Sequence, residues 1–393
     1  MAIEWPSLPL GELTENFDGK RIPVKETERK PGPYPYYGAS GVVDHVNGYL
    51  FDGEYLLIGE DGENLRTRQT PLAFMASGKF WVNNHAHIVR GNNRADTRFL
   101  CYALSQTDIS GYLTGSTMPK LTQGNLNRIP VIAPPLPEQK AIARILGTLD
   151  DKIELNRRMN ATLEAMARAL FTNWLETHAR EIEEHQVQAM IDARILLIGD
   201  GYRAKNSEMA ADGLPFVRAG NLKEGGLDLS GAEILGSQGV KAAGHKLGQS
   251  GDVAFTSKGT VGRITRVSSL TGRFVYSPQV CFWRALRSER IHPNVLYRWM
   301  CTDNFMRQVD AVSRQTDMAP YVSLQDQRKM VIQLPPPMAQ REIAKQLEPI
   351  DDRAAANAAQ SRTLATLRDT LLPKLLSGEL SVATASATVE SAS

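Results

Sequence analysis

The sequence predicts an α+β protein with two strand-rich globular segments, each followed by a long helix, the two helices pairing as an intramolecular coiled coil. Three observations predict it. Residues 134–174 read PPLPEQKAIARILGTLDDKIELNRRMNATLEAMARALFTNW, a helical run opened by prolines. A second version of that run begins 201 residues later, at Pro335. The segment ahead of each copy is made of short alternating runs broken by Gly, Asn and Asp. The implied division is a globular segment over 1–133, a helix over 134–180, a second globular segment over 181–333, a second helix over 334–380 and a disordered tail over 381–393.

In the first globular segment, GEYLLIGEDG (53–62) and KFWVNNHAHIVRG (79–91) carry strand patterns, and Thr97 to Leu104 reads as a short helix. Ahead of them, KPGPYPYYGASG (30–41) holds too much proline and glycine for regular structure of any length. Its Tyr36 and Tyr37 are candidates for stacking on or wedging against nucleic acid; packing of a loop onto the core is the plainer alternative.

The first helix opens on a proline cluster, and from Glu138 to Trp174 there is no proline and no glycine except Gly147. Ile142, Leu146, Leu149, Ile153, Leu163, Ala167, Leu170 and Trp174 follow steps of four and three, with Asn156 and Asn160 on the same stripe. The period is near 3.5, which calls for a partner helix. Shifting by 201 places Pro335 on Pro134, Gln340 on Gln139, Ile343 on Ile142, Leu347 on Leu146, Asp351 on Asp150, Asn357 on Asn156 and Leu371 on Leu170. A gapless offset through so many identities marks duplication of a whole unit.

The second globular segment repeats the layout. LPFVRAGNL (214–222), SGDVAFTSKGTVGR (250–263) and RFVYSPQVCFWRA (273–285) stand where the Tyr36 stretch, the Gly53 strand and the Lys79 strand stood, and Asn294 to Val312 repeats the short helix. Two departures bear on the second long helix: Pro349 replaces Thr148 and Pro373 replaces Thr172. A proline inside a helix costs about 3 kcal/mol, which predicts a kink near Pro349 or a later helix start. The tail SVATASATVESAS is small, polar and low in complexity, hence the expectation of disorder.

With 393 residues, 42% hydrophobic and 22% charged, the chain has the composition of soluble globular domains. The N-terminus lacks a basic start followed by an apolar run, and no stretch of eighteen apolar residues occurs, so a cytoplasmic protein without membrane contact is expected. Cys101, Cys281 and Cys301 lie at neither metal nor disulfide spacings and read as buried fillers. The net charge of +2 is uninformative, but residues 1–133 hold roughly 13 basic and 14 acidic side chains against roughly 19 and 13 in residues 186–333. The second segment should carry the stronger field for phosphates.

No catalytic constellation stands out. SKGTVGR around Lys258 lacks the upstream glycine of a nucleotide loop, and no Asn-Pro-Pro-aromatic tetrapeptide of amino-methylating enzymes is present. His85 and His87 would share one face of a strand, but without nearby carboxylate or cysteine they read as polar surface, so no metal site is assigned. Glu138-Gln139-Lys140 opens a helix, where the dipole favours Glu for its own reasons. Arg and Lys suit guanine edges, and Asn and Gln suit adenine. On the putative loops these types are Arg66, Arg68, Asn83, Asn84, His85, Lys120 and Gln123 in the first segment. In the second they are Arg218, Asn221, Lys258, Arg263, Gln279, Arg314 and Gln315. For any one of them a solvated surface group is the plainer reading; the sets carry the signal.

The duplicated PPLPEQKAIARILGTLDDKIELNRRMNATLEAMARALF resembles the specificity (S) subunits of type I restriction-modification systems, and the resemblance extends to about residue 380. It implies two target recognition domains separated by two long antiparallel helices that pack as a spacer, in a subunit that reads the halves of a bipartite site in double-stranded DNA and performs no chemistry. It also implies two modification (methyltransferase) subunits that methylate adenine with S-adenosylmethionine, and two restriction subunits, ATP-driven translocase/nucleases. S-adenosylmethionine, ATP and Mg are then expected in the partner subunits only. Arg144, Arg157, Arg158 and Glu164, on the outer face of the first helix, are candidates for partner contacts. A helix of roughly 38 residues spans about 57 Å, more than one DNA turn of roughly 34–36 Å, so a pair of them would leave an unread gap. Asn156 and Asn357 would meet near the middle and fix register. The alternative is a non-catalytic interaction scaffold with duplicated binding domains, which salt-sensitive binding to duplex DNA would separate from the first reading.

Overall fold

The computed structural model describes residues 5–223, 226–313 and 320–392; the candidates Arg314 and Gln315 lie outside them. The chain forms two compact units, one of residues 1–152 with 363–393 and one of residues 153–362. Both long helices, Leu136–Thr177 and Pro337–Leu376, therefore contribute residues to both units, where the sequence had suggested separate helical segments.

Two four-stranded sheets form the body of the first unit. One is antiparallel, in the order Thr14–Asn16, Ala86–Gly91, Tyr55–Gly59, Ala73–Ala76. The other runs Gly41–Val46, Pro31–Gly38, Lys79–Val82, Phe51–Asp52, with parallel pairing of Tyr36 to Trp81 and Tyr37 to Val82. Phe51, Leu57, Ala76, Phe80, Val82, Ala86 and Ile88 join the two in one core. The short helix Thr97–Gln106, capped by Asp96 Oδ1 accepting from the Phe99 N–H at 2.9 Å, packs against the strands Tyr55–Gly59 and Ala73–Ala76.

Contrary to expectation, the KPGPYPYYGASG stretch supplies the eight-residue strand Pro31–Gly38. Its prolines at 31, 33 and 35 have no N–H to donate, and they occupy the length where only one neighbouring strand is paired, with register shifts absorbing the misfit.

The second unit repeats the plan. Its antiparallel sheet runs Leu196–Asp200, Val280–Ala285, Val253–Thr256, Ile264–Arg266, and its companion pairs Met209–Val217 in parallel with Val275–Tyr276 through Phe216 and Val217. The expected second short helix is two, Pro293–Met300 and Asp303–Ser313; the break at Cys301 and Thr302 lets Trp299 and Phe305 meet edge to face in the core beside Trp283 and Phe255. Ala167, Phe171 and Trp174 from one long helix and Ile343, Ala344 and Leu347 from the other belong to the same core. In the first unit, Ile142, Leu146 and Leu149 are buried, as are Leu371, Leu372 and Leu375.

The long helices begin at Leu136 and Pro337, 201 residues apart, as the repeat requires. The late start anticipated at Pro349 does not occur; the helix runs through Pro349 and Pro373. Burial of Ile343, Leu347, Leu371 and Leu372 contributes about 1.5–3 kcal/mol each, which offsets the roughly 3 kcal/mol cost of each interior proline. Within the second unit the helices pair antiparallel through amides: Asn156 Nδ2 donates to Gln360 Oε1 at 2.9 Å and Ser361 Oγ at 3.2 Å, and Asn357 Nδ2 donates to Asn160 Oδ1 at 2.9 Å. Asn156 and Asn357 meet directly only by a 3.4 Å contact to the Asn357 carbonyl, so each amide fixes register through a neighbour of the other.

The tail, expected to be disordered, is the helix Val382–Ala392. Ser381 Oγ caps the Thr384 N–H at 3.2 Å, and Ala385 and Val389, four apart on one face, are buried. Small residues with high alanine content suffice once a short apolar stripe has something to cover.

Candidate nucleic-acid interface

In each unit three loops are tied together by the same backbone hydrogen bonds. In the first, the Glu60 N–H donates to His85 O at 2.9 Å, Leu121 N–H to Glu60 O at 2.8 Å, Gly62 N–H to Pro119 O at 3.1 Å, and Asn83 N–H to Tyr37 O at 3.0 Å. In the second, Ser257 N–H donates to Gln279 O at 3.0 Å, Val322 N–H to Ser257 O at 2.9 Å, Gly259 N–H to Pro320 O at 3.1 Å, and Ser277 N–H to Val217 O at 2.9 Å. An isolated bridge completes each set, Asp61 with Lys120 and Lys258 with Tyr321. Equivalent stations therefore show Asp61, His85 and Lys120 in one unit and Lys258, Gln279 and Tyr321 in the other. The scaffold is shared and the chemistry is not.

Of the anticipated residues, Asn84, His85 and Lys120 come together in the first unit, with Gln123 opening the next helix, and all four are exposed. In the second unit Lys258 and Arg263 share one hairpin, and Gln279 Oε1 accepts from the Ala219 N–H at 3.4 Å, joining it to the Arg218 loop. Sequence reading missed Asp61 and Tyr321. A signal existed: Pro119-Lys120-Leu121 and Pro320-Tyr321-Val322 keep the 201-residue offset of the helices.

Other candidates serve the fold. Tyr36 is buried; its hydroxyl accepts from the Val24 N–H at 3.0 Å and the Arg29 guanidinium lies 4.5 Å over its ring. Tyr37 packs on Phe74 and Phe80. Arg66 donates to the Gly115 carbonyl at 3.0 Å, and Arg68, in the left-handed region at φ 51°, donates to the Thr107 carbonyl at 2.8 Å. Asn83 is buried and its Oδ1 accepts from the His85 N–H at 2.8 Å. Arg218 is ion-paired with Glu233, and Asn221 Nδ2 donates to Asp228 O at 2.9 Å.

The two histidines do not share a face. His85 is exposed and its Nδ1 lies 2.9 Å from Asp61, whereas His87 is buried with Nδ1 2.5 Å from Asp18 and Nε2 2.7 Å from the Leu121 carbonyl. Burial would raise the Asp18 carboxyl, but the His87 ring, the Ile88 N–H and Arg21 together hold it below the ordinary range. A depressed carboxylate stabilises the fold at pH above its unfolded value and loses that contribution as pH falls through the folded value. The first unit should therefore lose urea resistance as pH drops below about 4, and Asp18→Asn should flatten that decline; an unchanged pH profile would refute it.

On the first long helix, Arg144 is exposed, and Arg157 and Arg158 each reach Glu154 at 2.7 Å. The Arg157 and Arg158 hydrogen bonds hold the Glu154 carboxyl down at about 2. Glu164 is not offered to a partner, because both its oxygens accept from Arg298 Nη1 at 2.7 Å inside the second unit.

Two strand-rich units on one plan, drawing on a shared pair of long helices and presenting different side chains on equivalent loops, define a duplicated recognition protein. Residues 2–165 match the family described as the type I restriction modification DNA specificity domain. A putative type I restriction enzyme specificity subunit of Haemophilus influenzae is 40% identical over 147 residues, 37% of each chain. The MjaIX specificity subunit of Methanocaldococcus jannaschii is 23% identical over 411 residues, covering 96% of this chain and 94% of that one. The crystal structure of a type I restriction-modification S subunit from M. genitalium has the same fold, with a TM-score of 0.62 at 17% identity over 95% of this chain and 96% of that one. Over nearly its whole length the chain is similar to specificity subunits of type I restriction-modification systems. No helix among the described residues is long and apolar enough to cross a membrane.

Proposed function

We propose that this subunit reads a two-part site in double-stranded DNA, one part with the Asn84, His85 and Lys120 loops and the other with the Lys258, Arg263, Gln279 and Tyr321 loops. The observation that carries the reading is the set of matching backbone hydrogen bonds beneath different side chains: a device that holds loops alike and reads unlike sequences. The long helices would carry two modification and two restriction subunits, with Arg144, Arg157 and Arg158 among the contacts. The chain itself would be non-catalytic and cytoplasmic. S-adenosylmethionine, ATP and Mg would act in those partners only.

Mapping methylated adenines in cells carrying the system supplies the target. Duplex affinity should then fall with salt, with a log–log slope of about −0.9 per phosphate contact. Lys258→Ala with Gln279→Ala should alter the methylated motif in one part only, and His85→Ala with Lys120→Ala in the other. Salt-independent or absent duplex binding would instead favour an interaction scaffold.

A further inference from the structure

In both units the carbonyl just past the last reading residue is held by a buried side chain, but by different chemistry. Leu121, next to Lys120, donates its N–H to Glu60 O at 2.8 Å, and its carbonyl lies 2.7 Å from His87 Nε2. Val322, next to Tyr321, donates its N–H to Ser257 O at 2.9 Å, and its carbonyl accepts from Gln327 Nε2 at 3.3 Å. The 201-residue offset places Leu126 at the Gln327 station in the first unit. Cys281, two residues past Gln279, stands where His87 stands two past His85. The first unit therefore relies on a group that can lose a proton, and the second on an amide that cannot. Both nitrogens of the buried His87 ring face acceptors. A peptide carbonyl has no proton to give. Nor has the Asp18 carboxylate, 2.5 Å from Nδ1: burial would raise it, but the His87 ring, the Ile88 N–H at 2.8 Å and Arg21 at 3.5 Å hold it below the ordinary range. Glu60, 3.8 Å from Nδ1, is paired with Arg21 at 2.7 Å and Lys120 at 3.3 Å, and Asp61 with His85 at 2.9 Å. Only a ring with a proton on each nitrogen satisfies both of its contacts.

We propose that His87 is a positioning residue for base reading by the first unit: doubly protonated, it ties the Leu121 carbonyl, and with it the Lys120 loop, to the strand that follows His85. The inference rests on the reading proposed above. When the second proton leaves, one proton must serve two acceptors. A hydrogen bond to a carboxylate is roughly twice as strong as one to a neutral oxygen, so the proton stays with Asp18 and the Leu121 carbonyl loses its donor. Lys120 is then placed only by its backbone bonds to Thr114, at 2.7 and 2.8 Å, and by the Leu121 N–H. Reading by this unit should weaken as pH rises. In the second unit the Gln327 amide does not titrate, and burial pushes the Cys281 thiol above its ordinary range, so that loop should keep its hold.

Asp18→Asn isolates the proton. Asparagine keeps an oxygen for the Ile88 N–H and turns Nδ2 toward His87 Nδ1, so a neutral ring carries its one proton on Nε2 and holds Leu121 at any pH. The full chain would be titrated against three duplexes, the mapped site and versions with one or the other part scrambled, from about pH 6 to about pH 8.5 at fixed ionic strength. Wild-type preference for the part assigned to this unit should fall about three-fold or more, and preference for the other part should stay level. Asp18→Asn should hold the first preference level. His85→Gln, which removes the exposed histidine, should leave the fall in place. A level wild-type profile, a fall shared by both parts, a fall that persists in Asp18→Asn or one that vanishes in His85→Gln overturns the proposal. Amide exchange reads the same event without DNA: protection of the Thr114, Lys120 and Leu121 N–H groups should drop relative to that of Val322 over this range in the wild type and not in Asp18→Asn. Unchanged protection sinks the hold on Leu121 itself, whereas a protection change without discrimination of either part faults the proposed function instead.

Discussion

Replacing Asp252 by alanine is expected to destabilise the second unit by about 3–5 kcal/mol, because it strands a buried guanidinium. The Asp252 side chain is fully buried. Its Oδ1 accepts from Arg284 Nε at 2.6 Å, and its Oδ2 from Arg284 Nη2 at 2.8 Å, the Tyr276 hydroxyl at 3.0 Å and the Gln249 N–H at 2.9 Å. Alanine removes every one of these acceptors and leaves Arg284, itself 9% exposed, with the Leu247 carbonyl at 2.9 Å and the Phe282 ring at 5.0 Å but no counter-charge among these contacts. Burial, reinforced by Asp252, pushes the Tyr276 hydroxyl well above its ordinary range, so it remains a donor at any working pH and also loses its acceptor. Asp252→Asn keeps one oxygen and should cost less. Asp252→Ala with Arg284→Met should recover most of the loss, since replacing both members of a buried pair is far cheaper than removing one. Urea unfolding with an unchanged m-value would measure it, and a single-variant loss under 1 kcal/mol would contradict the ion-pair account. Tyr276 leads directly into the Ser277–Gln279 turn, so the same variant should weaken reading by this unit's loops.

The helices were legible because spacing is a local property: steps of four and three through Leu146, Leu149 and Ile153 hold whatever the rest of the chain does, and the offset to Leu347 and Asp351 needs no structure to be seen. Proline rules applied residue by residue were less safe. Pro349 looked like a break, yet its neighbours Ile343 and Leu347 are anchored in a core that only the fold assembles. The proline-rich strand Pro31–Gly38 looked like a loop because the sequence does not say which of its edges is left unpaired. At the site, residue type identified the right loops but not the right side chains. Arg66, Arg68 and Tyr36 were captured by carbonyls and by an N–H that come from distant parts of the chain. Asp61 and Tyr321 were passed over because a carboxylate and a lone tyrosine do not announce base reading. Glu164 appeared to be surface charge until Arg298, 134 residues away, was placed against it.

Gln139 shows how a motif residue can be seen and still be misjudged. It lies beside a glutamate that the helix dipole explains, yet it is buried and makes three hydrogen bonds: its Nε2 donates to Arg94 O at 3.0 Å and Pro134 O at 2.7 Å, and its Oε1 accepts from the Asp96 N–H at 2.9 Å. It thereby clamps the residue that caps the short helix Thr97–Gln106 to the start of the long one. Its repeat, Gln340, does the same with less: Nε2 to Pro335 O at 2.9 Å, and Oε1 accepting from the His292 N–H, the cap of Pro293–Met300, at 3.2 Å. Each buried group left unsatisfied costs about 1–3 kcal/mol, partly relieved where water can enter. Gln139→Ala should therefore lose about 3 kcal/mol and Gln340→Ala about 2 kcal/mol, with Gln139→Glu also costly because its carboxylate cannot donate to two carbonyls. Differential scanning calorimetry of the full chain would separate the two, and equal or negligible losses would mean that the clamp is not what holds each recognition unit to its helix.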